Sequence, residues 1–530
     1  MLLLRNITLP LEEYARAKEF LREQAAQLLH CPPQAIVSLR VLRQATDSRR
    51  KSDVHFVCHI AIEVAHESRY SKPGIEMVQA PQIAPPPVRR ASTLRPVVVG
   101  FGPAGIFAAL ALARAGLRPV VLERGLPVEE RRAAVAQFHK TRRLLPNANV
   151  QFGEGGAGAF SDGKLSTGIK DPLCRFVLET LAAHGAPQEI LVLAKPHIGT
   201  DKLGGVITSL REEITRLGGT VHFDAQLTKI ARAHGRIVGL CYTQNGAQHT
   251  TESDTLLLCV GHSARDTLAL LHSDGVVLEQ KPFAVGARIE HPRAWIDRAQ
   301  YGAFAGHPAL GAADYKLAVH PRAGEGCYTF CMCPGGEVVC AGSEPGGLVT
   351  NGMSLHARAD KNSNAAVLVG VHPAMEGSHP LAGIALQRKL ERAAFALGGG
   401  DYTAPAQRVG DFLSSRPSKS FGSVRPSIAT GAMPCDLGAL LPQSVAATIK
   451  IALPMMARQL DGFAHPDAVL TGPETRSSSP VRILRDAATR QSPGMPGLFP
   501  CGEGAGYAGG IVSAAVDGIR SAWAVMTALS

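Results

Sequence analysis

The chain has 530 residues, of which 45% are hydrophobic and 19% charged, and this composition is that of a globular protein of two or three domains. Its formal net charge is +11, but the basic residues form only short clusters such as SRRK and ERRAA, so we expect a basic solvated surface and do not expect nucleic acid as a partner. No run of about 18 apolar residues predicts a membrane span, the first residues lack the pattern of a signal peptide, and the eleven cysteines are scattered. We therefore expect a cytoplasmic protein without membrane contact.

The N-terminal region predicts a small α+β module. Within residues 1–70, LLLRNITL is a predicted strand, EEYARAKEFLREQAAQLL has the spacing of a helix, and AIVSLRVLRQA and VHFVCHIAIEV alternate as half-buried strands do. Residues 71–92 are rich in proline and lack periodicity, which is typical of a linker.

A βαβ unit follows the linker. Gly100, Gly102 and Gly105 form a G-x-G-x-x-G turn between an apolar strand and the helix IFAALALARAG, and Glu123 ends the next apolar strand. In this arrangement the first glycine permits a tight turn, the second lets the backbone approach a pyrophosphate, the third lets the helix pack on the strand, and the acid accepts hydrogen bonds from ribose hydroxyls. The predicted dinucleotide contacts are Gly100, Gly102, Pro103, Ala104, Gly105, Glu123 and Arg124.

A second glycine-rich turn lies near the end of the chain, in GLFPCGEGAGYAGGIVSAA. The order of apolar segment, glycine, acid and helix resembles the chain end of two-dinucleotide-binding flavoproteins such as the glutathione reductase family. The resemblance implies FAD, with Gly502 and Glu503 near its ribityl chain or pyrophosphate. A helix that begins at Gly509, Gly510 and Ile511 directs its positive dipole end at the flavin's pyrimidine edge, where it stabilises the negative charge of reduced flavin.

A third glycine-rich segment, FGEGGAGAFSDGKL at residues 152–165, also contains a formal G-x-G-x-x-G. Only a short apolar stretch precedes it and SDG predicts a turn in place of a helix, so we do not interpret it as a second nucleotide-binding unit. We expect this loop to lie against the flavin or its pyrophosphate. Further predicted cofactor contacts are Gly155, Gly156, Lys164, Leu227 and Gly261.

Several stretches resemble an uncharacterised family of FAD-dependent dehydrogenases found in many bacteria. They are FGEGGAGAFSDGKL, KPHIGTDKL, KPFAVGARIEHP, YTFCMCPGGEVV, TNGMS and ETRSSSPVRI, and the proline-linked N-terminal module is similar as well. Ala159 and Ser478 depart from the family's pattern, in which we expect threonine. The resemblance covers essentially the whole chain and implies an FAD-dependent oxidoreductase, without naming its substrate.

Four cysteines lie within CYTFCMCPGGEVVC, at Cys327, Cys331, Cys333 and Cys340. The PGG segment resembles a hairpin turn, and the C-x-C spacing differs from the C-x-x-C of redox dithiols and zinc sites. Buried strand cysteines are the favoured interpretation, a flavin-facing thiol and a metal site are the alternatives, and we predict no metal.

The candidate substrate contacts are Arg288, His291 and Arg476. Arg288 shares a strand face with Glu290, so an ion pair between these two residues is the simpler interpretation. Arg476, in the polar segment ETRSSSP, offers the bidentate donors that clamp a carboxylate. A structural role in which Arg476 caps backbone carbonyls is the alternative.

Together these patterns predict an α/β fold with a Rossmann-like FAD-binding domain of glutathione-reductase type, built from residues 93–285 and 470–530. A mixed α+β substrate-side domain at 286–469 is inserted into it, and the small N-terminal α+β module precedes both. The predicted function is hydride transfer between flavin N5 and an unidentified small-molecule substrate. NADH or NADPH is the candidate transient reductant, and it would dock without a Rossmann unit of its own.

Two alternatives to this function stay open: an RNA-linked flavoprotein resembling tRNA-modifying FAD proteins, and a non-catalytic FAD-binding protein. A basic stripe along the flavin cleft favours RNA, whereas a small pocket over the flavin favours a metabolite. The catalytic residues and the oligomeric state are left open by the sequence.

Overall fold

The computed structural model describes most of the chain, namely residues 1–65, 67–70, 75–77, 83–89, 94–321, 326–372 and 377–529. More than half of the predicted linker at 71–92 lies outside the described residues. None of the helices within the described ranges is long and apolar enough to cross a membrane.

The N-terminal module is an antiparallel sheet covered by one helix. Its strands, in the spatial order β2-β3-β1-β4, are β1 (Leu2–Pro10), β2 (Ile36–Asp47), β3 (His55–Val64) and β4 (Glu76–Met77). Helix α1 (Ala17–Leu29) buries Leu21, Ala25 and Leu29, which share one face because they are four residues apart. The core of this module is continuous with that of the second large domain.

A five-stranded parallel sheet forms the centre of the cofactor-side domain. In spatial order its strands are β23 (Leu498–Pro500), β11 (Leu256–Leu258), β5 (Val97–Val99), β6 (Val120–Leu122) and β7 (Thr220–His222). All of these strands except β7 are wholly buried, as expected where helices cover a parallel sheet. Because β23 pairs with β11, the end of the chain completes a sheet that begins at residue 97.

Helices and two smaller sheets surround the parallel sheet. The helices are α2 (Pro103–Arg114), α3 (Val128–Thr141), α4 (Leu173–Ala183), α5 (Thr200–Arg216), α6 (Arg265–Ser273) and α12 (Ile511–Ala528). The antiparallel pairings join β8 (Ala225–Ala233), β9 (Arg236–Gln244) and β10 (Ala247–Glu252), and separately β12 (Leu278–Gln280) and β22 (Val481–Ile483). Short 3-10 helices span Leu11–Arg16, Pro33–Ala35, Glu67–Tyr70, Gly156–Phe160, Gln188–Leu191 and Gly302–Phe304.

The second large domain contains a seven-stranded mixed sheet. In spatial order its strands are β14 (Ala318–Val319), β15 (Cys327–Cys333), β18 (Asn362–Val371), β13 (Phe283–Pro292), β21 (Val469–Glu474), β19 (Ala404–Arg408) and β20 (Ala432–Pro434). Its helices are α7 (Arg293–Tyr301), α8 (Ala382–Leu397), α9 (Val409–Leu413), α10 (Leu437–Leu440) and α11 (Gln443–Ala457).

Two details of this domain differ from the sequence-based expectations. The predicted boundaries at 285/286 and 469/470 fall within β13 and β21, which both belong to the seven-stranded sheet, because an apolar run does not indicate which sheet it joins. The PGG segment is not a hairpin turn, since β15 pairs with β14 and β18 whereas β16 (Glu337–Cys340) pairs with β17 (Thr350–Met353).

Helices α2 and α12 cross at very short range in the cofactor-side domain. A Cβ atom built on Gly518 of α12 would lie 2.1 Å from the carbonyl oxygen of Ala104 in α2. No real Cβ atom reaches that distance, so only glycine permits this helix crossing. The contact joins the first helix of the domain to the last.

This crossing yields a prediction about stability. Gly518→Ala should destabilise the apoprotein by about 1–3 kcal/mol, because the added methyl group forces the backbones of α2 and α12 apart. Gly205→Ala is the matched control: Gly205 is exposed in α5 and a Cβ built there meets nothing within 4 Å. That control should be neutral or stabilise by up to about 1 kcal/mol, because alanine is the better helix former. Urea unfolding measures both free energies, and equal values for the two variants would contradict the prediction.

Candidate functional site

A cavity of about 330 Å³ opens where β5, β6 and β11 end. This is the position at which open α/β sheets bind ligands, at the carboxyl ends of parallel strands, and the volume is within the range of ligand sites. Most of the predicted cofactor contacts line it, namely Gly100, Gly102, Pro103, Ala104, Glu123, Arg124, Gly156, Lys164, Leu227, Gly261, Glu503, Gly509, Gly510 and Ile511. Segments from the start, middle and end of the domain therefore share one cavity.

Three predicted cofactor glycines do not line the cavity and support its turns from behind. A Cβ on Gly105 would lie 1.9 Å from the carbonyl oxygen of Gly100, so Gly105 serves helix-to-strand packing. Gly155 has a φ of +84° and faces the side chain of Ile207. Gly502 faces Ala104. Their lack of a side chain is required by neighbouring protein atoms, so these three glycines shape the turns without bordering the cavity.

Two helix N-termini point their first turns at the cavity. Gly102 precedes α2 and Gly510 precedes α12, and neither helix has a side-chain cap at this end. Both glycines and the first residue of each helix line the cavity. Since the first N–H groups of a helix have no intrahelical acceptor and carry partial positive charge, each end is suited to an anionic or hydrogen-bond-accepting ligand group.

Glu123 holds the first glycine turn while still bordering the cavity. Its carboxylate accepts hydrogen bonds from the backbone N–H groups of Phe101, Gly125 and Gly153, at 2.8, 2.9 and 3.0 Å. A carboxylate has about four acceptor positions, so these three bonds leave room for a ribose hydroxyl. The predicted ribose contact thus also has a structural role that the motif did not indicate.

The third glycine loop is held by a buried guanidinium group, that of Arg131 on α3. Its N–H groups donate to the backbone carbonyls of Asn149, Val150, Gly153, Glu154 and Gly156. Arg131 is fully buried and lies over the ring of Phe160, and burial lowers its pKa to about 10. The ERRAA cluster is therefore not simply a solvated surface, because one of its arginines shapes the cavity wall.

Glu503 places a carboxyl group in the cavity without a protein partner. Within the described part of the chain, no side chain or backbone group donates a hydrogen bond to its carboxylate. Burial raises the pKa of Glu503 to about 7, against the opposing effect of the nearby Lys281. The group is thus free to accept hydrogen bonds from a ligand or to exchange a proton near neutral pH.

Arg288 is not a substrate contact, and its predicted ion pair is also wrong. Its guanidinium is fully buried, does not line the cavity, and binds Glu474 through Nε at 2.6 Å and Nη2 at 3.2 Å. Glu290 instead accepts hydrogen bonds from Ser427 and Asn362. The partner of Arg288 is on β21, which pairs with β13, and that strand neighbour is far away in the sequence.

His291 also lies away from the cavity. Its side chain is fully buried, and Nε2 donates to the carbonyl of Phe463 at 2.7 Å. Burial lowers the pKa of His291 to about 4, so the ring is neutral at physiological pH. It is a core histidine of the seven-stranded sheet and does not contact substrate.

Arg476 does line the cavity, but its charge is matched by the protein. Its Nε and Nη2 bind the two oxygens of Glu391 at 2.9 and 2.6 Å, and Nη1 donates to the hydroxyls of Ser263 and Ser343. The carboxylate that Arg476 clamps is thus an internal one. Its partners are side chains, so the predicted role as a cap for backbone carbonyls is absent as well.

Other cavity residues escaped the sequence analysis. They include Gln151, Asp162, His262, Phe330, Asn351 and Glu474. Asp162 lies within the third glycine-rich segment, Gln151 directly precedes it and His262 follows a predicted contact, so proximity to the glycine turns was an available signal for these three residues. Phe330, Asn351 and Glu474 come from the second domain, and only the domain packing brings them to the cavity. Cys331, considered only as an alternative, also lines it.

The bare backbone of the cavity wall fits an extended ligand. Cβ atoms built on Gly261, Gly509 and Gly510 meet no protein atom within 4 Å, so side chains there would occupy cavity space. A Cβ on Gly102 would touch only Gly156, at 3.6 Å. Backbone conformation also favours glycine at Gly261 and Gly510, whose φ values are +70° and +123°, whereas neither packing nor a positive φ requires it at Gly102 and Gly509. This bare backbone beside two open helix N-termini fits a dinucleotide with a pyrophosphate and a flavin.

Family models match two parts of the chain, and several solved structures are distantly similar to it. Residues 282–477 match the family described as FAD-dependent protein, C-terminal domain-like, and residues 1–63 match a domain of unknown function, DUF8436. Among solved structures, a triple mutant of the flavin-dependent brominase Bmp2 is 12% identical and covers 82% of this chain and 80% of its own, with a TM-score of 0.36. The flavin-dependent halogenase CmlS is 15% identical and covers 83% and 58%, also with a TM-score of 0.36. Similarity at this level carries no conclusion about activity.

A curated relative covers the whole length. An uncharacterized protein of Clostridium beijerinckii is 45% identical over 540 residues, which span 98% of this chain and 97% of that protein. The chain therefore belongs to the family of this uncharacterized protein. FAD is the cofactor of the chain, since residues 282–477 match the FAD-dependent family.

Proposed function

We propose that the protein is an FAD-dependent oxidoreductase that transfers hydride between flavin N5 and a small-molecule substrate. The observation that carries the proposal is the convergence of both glycine turns and both open helix N-termini on one cavity. Bound FAD supplies the hydride-transfer chemistry, whereas the protein binds, orients and shields the reacting groups.

The adenosine half of FAD is assigned to the wall near β6 and β8. Glu123 has acceptor capacity for a ribose hydroxyl, and Leu227 gives this end an apolar surface. Arg124 lies with its guanidinium 4.2 Å from the ring centroid of Phe152 and is paired with Asp266, so its position is fixed before any ligand arrives. The N-terminus of α2 at Gly102 is assigned to the pyrophosphate.

The flavin half is assigned to the C-terminal turn. The N-terminus of α12, at Gly510 and Ile511, stabilises negative charge on a reduced flavin, and Glu503 accepts hydrogen bonds from the ribityl hydroxyls. The convergence of these two sequence-distant turns on one cavity supports a cofactor domain of glutathione-reductase type.

The charges of the cavity wall favour a small molecule over RNA. Among its described lining residues, the arginines and lysine are Arg124, Lys164 and Arg476, and each is paired with an internal carboxylate. No unpaired arginine or lysine is thus left among the described lining residues to hold a phosphate backbone. NADH or NADPH remains the candidate reductant, and it must dock without a second glycine fingerprint.

The proposal predicts what the purified protein carries and does. It should be yellow, release FAD and not FMN on denaturation, and lose its long-wavelength flavin absorption when mixed anaerobically with NADH or NADPH. Chromatography of the released cofactor and stopped-flow absorption measure these two properties. Stoichiometric NAD without flavin would contradict the proposal. FAD that neither reductant bleaches and that no small-molecule acceptor reoxidises would favour the non-catalytic alternative, and co-purified RNA would favour the RNA-linked one.

A change at the first glycine turn should separate cofactor loss from unfolding. Gly102→Val should abolish FAD retention, because the side chain enters the space assigned to the pyrophosphate while a Cβ there makes only ordinary protein contacts. The apoprotein of this variant should unfold at nearly the wild-type urea concentration.

The matched control is Gly100→Ala, two residues away. Gly100 has a φ of +94°, and a Cβ there would lie 2.4 Å from the carbonyl oxygen of Cys259, so this variant should destabilise the apoprotein itself. Flavin content and urea midpoints are measured for both variants. Full flavin content in Gly102→Val would show that the pyrophosphate binds elsewhere.

Glu503 should govern the pH dependence of FAD affinity. Glu503→Ala should weaken FAD binding about tenfold to a hundredfold, the loss of roughly 1.5–3 kcal/mol from a charge-assisted hydrogen bond. The ribityl hydroxyls donate more strongly to the carboxylate than to the protonated acid. Since the pKa of Glu503 in the protein without FAD is about 7, the FAD affinity of wild type should rise as pH increases through 7. Glu503→Gln should lose this rise, and fluorescence titration of deflavinated proteins at several pH values measures it. Equal pH profiles for Gln and wild type would remove Glu503 from the FAD site.

A further inference from the structure

Cys331 occupies an unusual position in the cavity wall. Strand β15 is irregular at this point: Phe330 pairs with Ala366 of β18, and the next paired residue is Cys333, opposite Asn364. Cys331 lies in this bulge with a φ of +43°, a backbone conformation that few residues other than glycine adopt. Bulges redirect side chains, and here Cys331 lines the cavity.

Cys333 lies directly behind it. Cys333 is fully buried, and its Sγ is 3.3 Å from the backbone carbonyl oxygen of Cys331. The two thiols also lie within hydrogen-bonding reach of each other. The bulge thus brings both sulfurs together on one short segment, as a disulfide between them requires.

Two cations donate to the backbone of the bulge, and each is also paired with a carboxylate, Arg288 with Glu474 and Lys164 with Asp162. Arg288 Nη1 donates to the carbonyl of Cys331 at 2.8 Å, and Lys164 Nζ donates to the carbonyl of Met332. Hydrogen bonding from the Cys333 thiol, together with Lys164 and Arg288, lowers the pKa of Cys331 although its burial opposes this. By contrast, burial raises the pKa of Cys327 at the start of the same strand. The arrangement favours a thiolate at one position of β15 only.

The second thiol has buried donors beside it whose bonding capacity is unused. Asn364 Nδ2 and Tyr315 Oη are buried, and neither has a hydrogen-bond partner among the residues that the structure describes. Asn364 is the cross-strand partner of Cys333, and the pKa of Tyr315, raised mainly by burial, is also raised by the charge of Cys333. Free donors next to a sulfur are suited to the transient negative charge of thiol–disulfide chemistry.

From this geometry we propose that Cys331 and Cys333 form a redox pair that exchanges two electrons with the bound FAD. In the oxidative direction, a sulfur–sulfur bond forms between Cys331 and Cys333, the thiolate and the thiol together give up two electrons and one proton, and FAD is reduced as it takes up both electrons and that proton. The reverse reaction restores the dithiol. The inference rests on the proposed function, since it requires bound FAD. It gives the cavity a second redox-active group besides the flavin.

The test counts electrons in the holoenzyme under anaerobic conditions. Fully oxidised wild-type protein should take up about four electrons from dithionite per bound FAD, about two for the flavin and about two for the disulfide. Cys331→Ala and Cys333→Ala should each take up about two. Cys327→Ala, the same substitution on the same strand but away from the cavity, should retain the wild-type uptake.

A second measurement needs no variant. Alkylation and mass spectrometry of oxidised wild type should find Cys331 and Cys333 in one peptide, unmodified and lighter by two hydrogen atoms. When dithionite first reduces the protein, the same alkylating reagent should modify both thiols. Uptake of only about two electrons by FAD-loaded wild type, or retention of the larger uptake in both cavity variants, would overturn the inference and leave the proposed function intact. A protein without flavin would instead refute the proposed function itself.

Discussion

The cofactor cavity depends on one close backbone contact, the crossing of α2 and α12. These helices follow the first and the last glycine turns of the domain, and each presents its N-terminus to the cavity. They converge because Gly518 has no side chain where the carbonyl of Ala104 lies, and Gly502 meets the side chain of the same alanine. Neither turn alone defines the site, since the distance between the two helix ends is set by packing between segments at opposite ends of the domain.

Buried arginines then fix the walls around these two helix ends. Arg131 donates hydrogen bonds to the carbonyls of the third glycine loop. Arg265 of α6 and Arg476 both donate to the carboxylate of Glu391 of α8. Removing a guanidinium group from water is costly, and only nearly complete use of its donors offsets that cost. Because Glu391 belongs to the second domain and Arg265 to the cofactor-side domain, this network also holds the two domains together beside the cavity.

The sequence predicted the parts of this site that local geometry determines. The G-x-G-x-x-G turn at Gly100 and the C-terminal turn at Gly510 both border the cavity, because a glycine pattern between strand and helix carries its own backbone geometry. Partners that depend on long-range strand pairing were not predictable: Arg288 binds Glu474 because β13 lies beside β21. The bulge at Cys331 was missed for the same reason, since regular alternation cannot reveal an extra residue in one strand.

Pairing within the protein decides which polar groups of the cavity are available for chemistry. The cations Arg124, Lys164 and Arg476 are held by internal carboxylates, so their charges position loops. Glu503 accepts no hydrogen bond from the described residues, and Cys331 lines the cavity with a thiol whose pKa is lowered by the hydrogen bond from Cys333 and by Lys164 and Arg288. The charges of the cavity wall are thus largely matched within the protein, whereas the two helix N-termini, the Glu503 carboxyl group and the Cys331 thiol are the polar groups of the wall that a bound ligand can use.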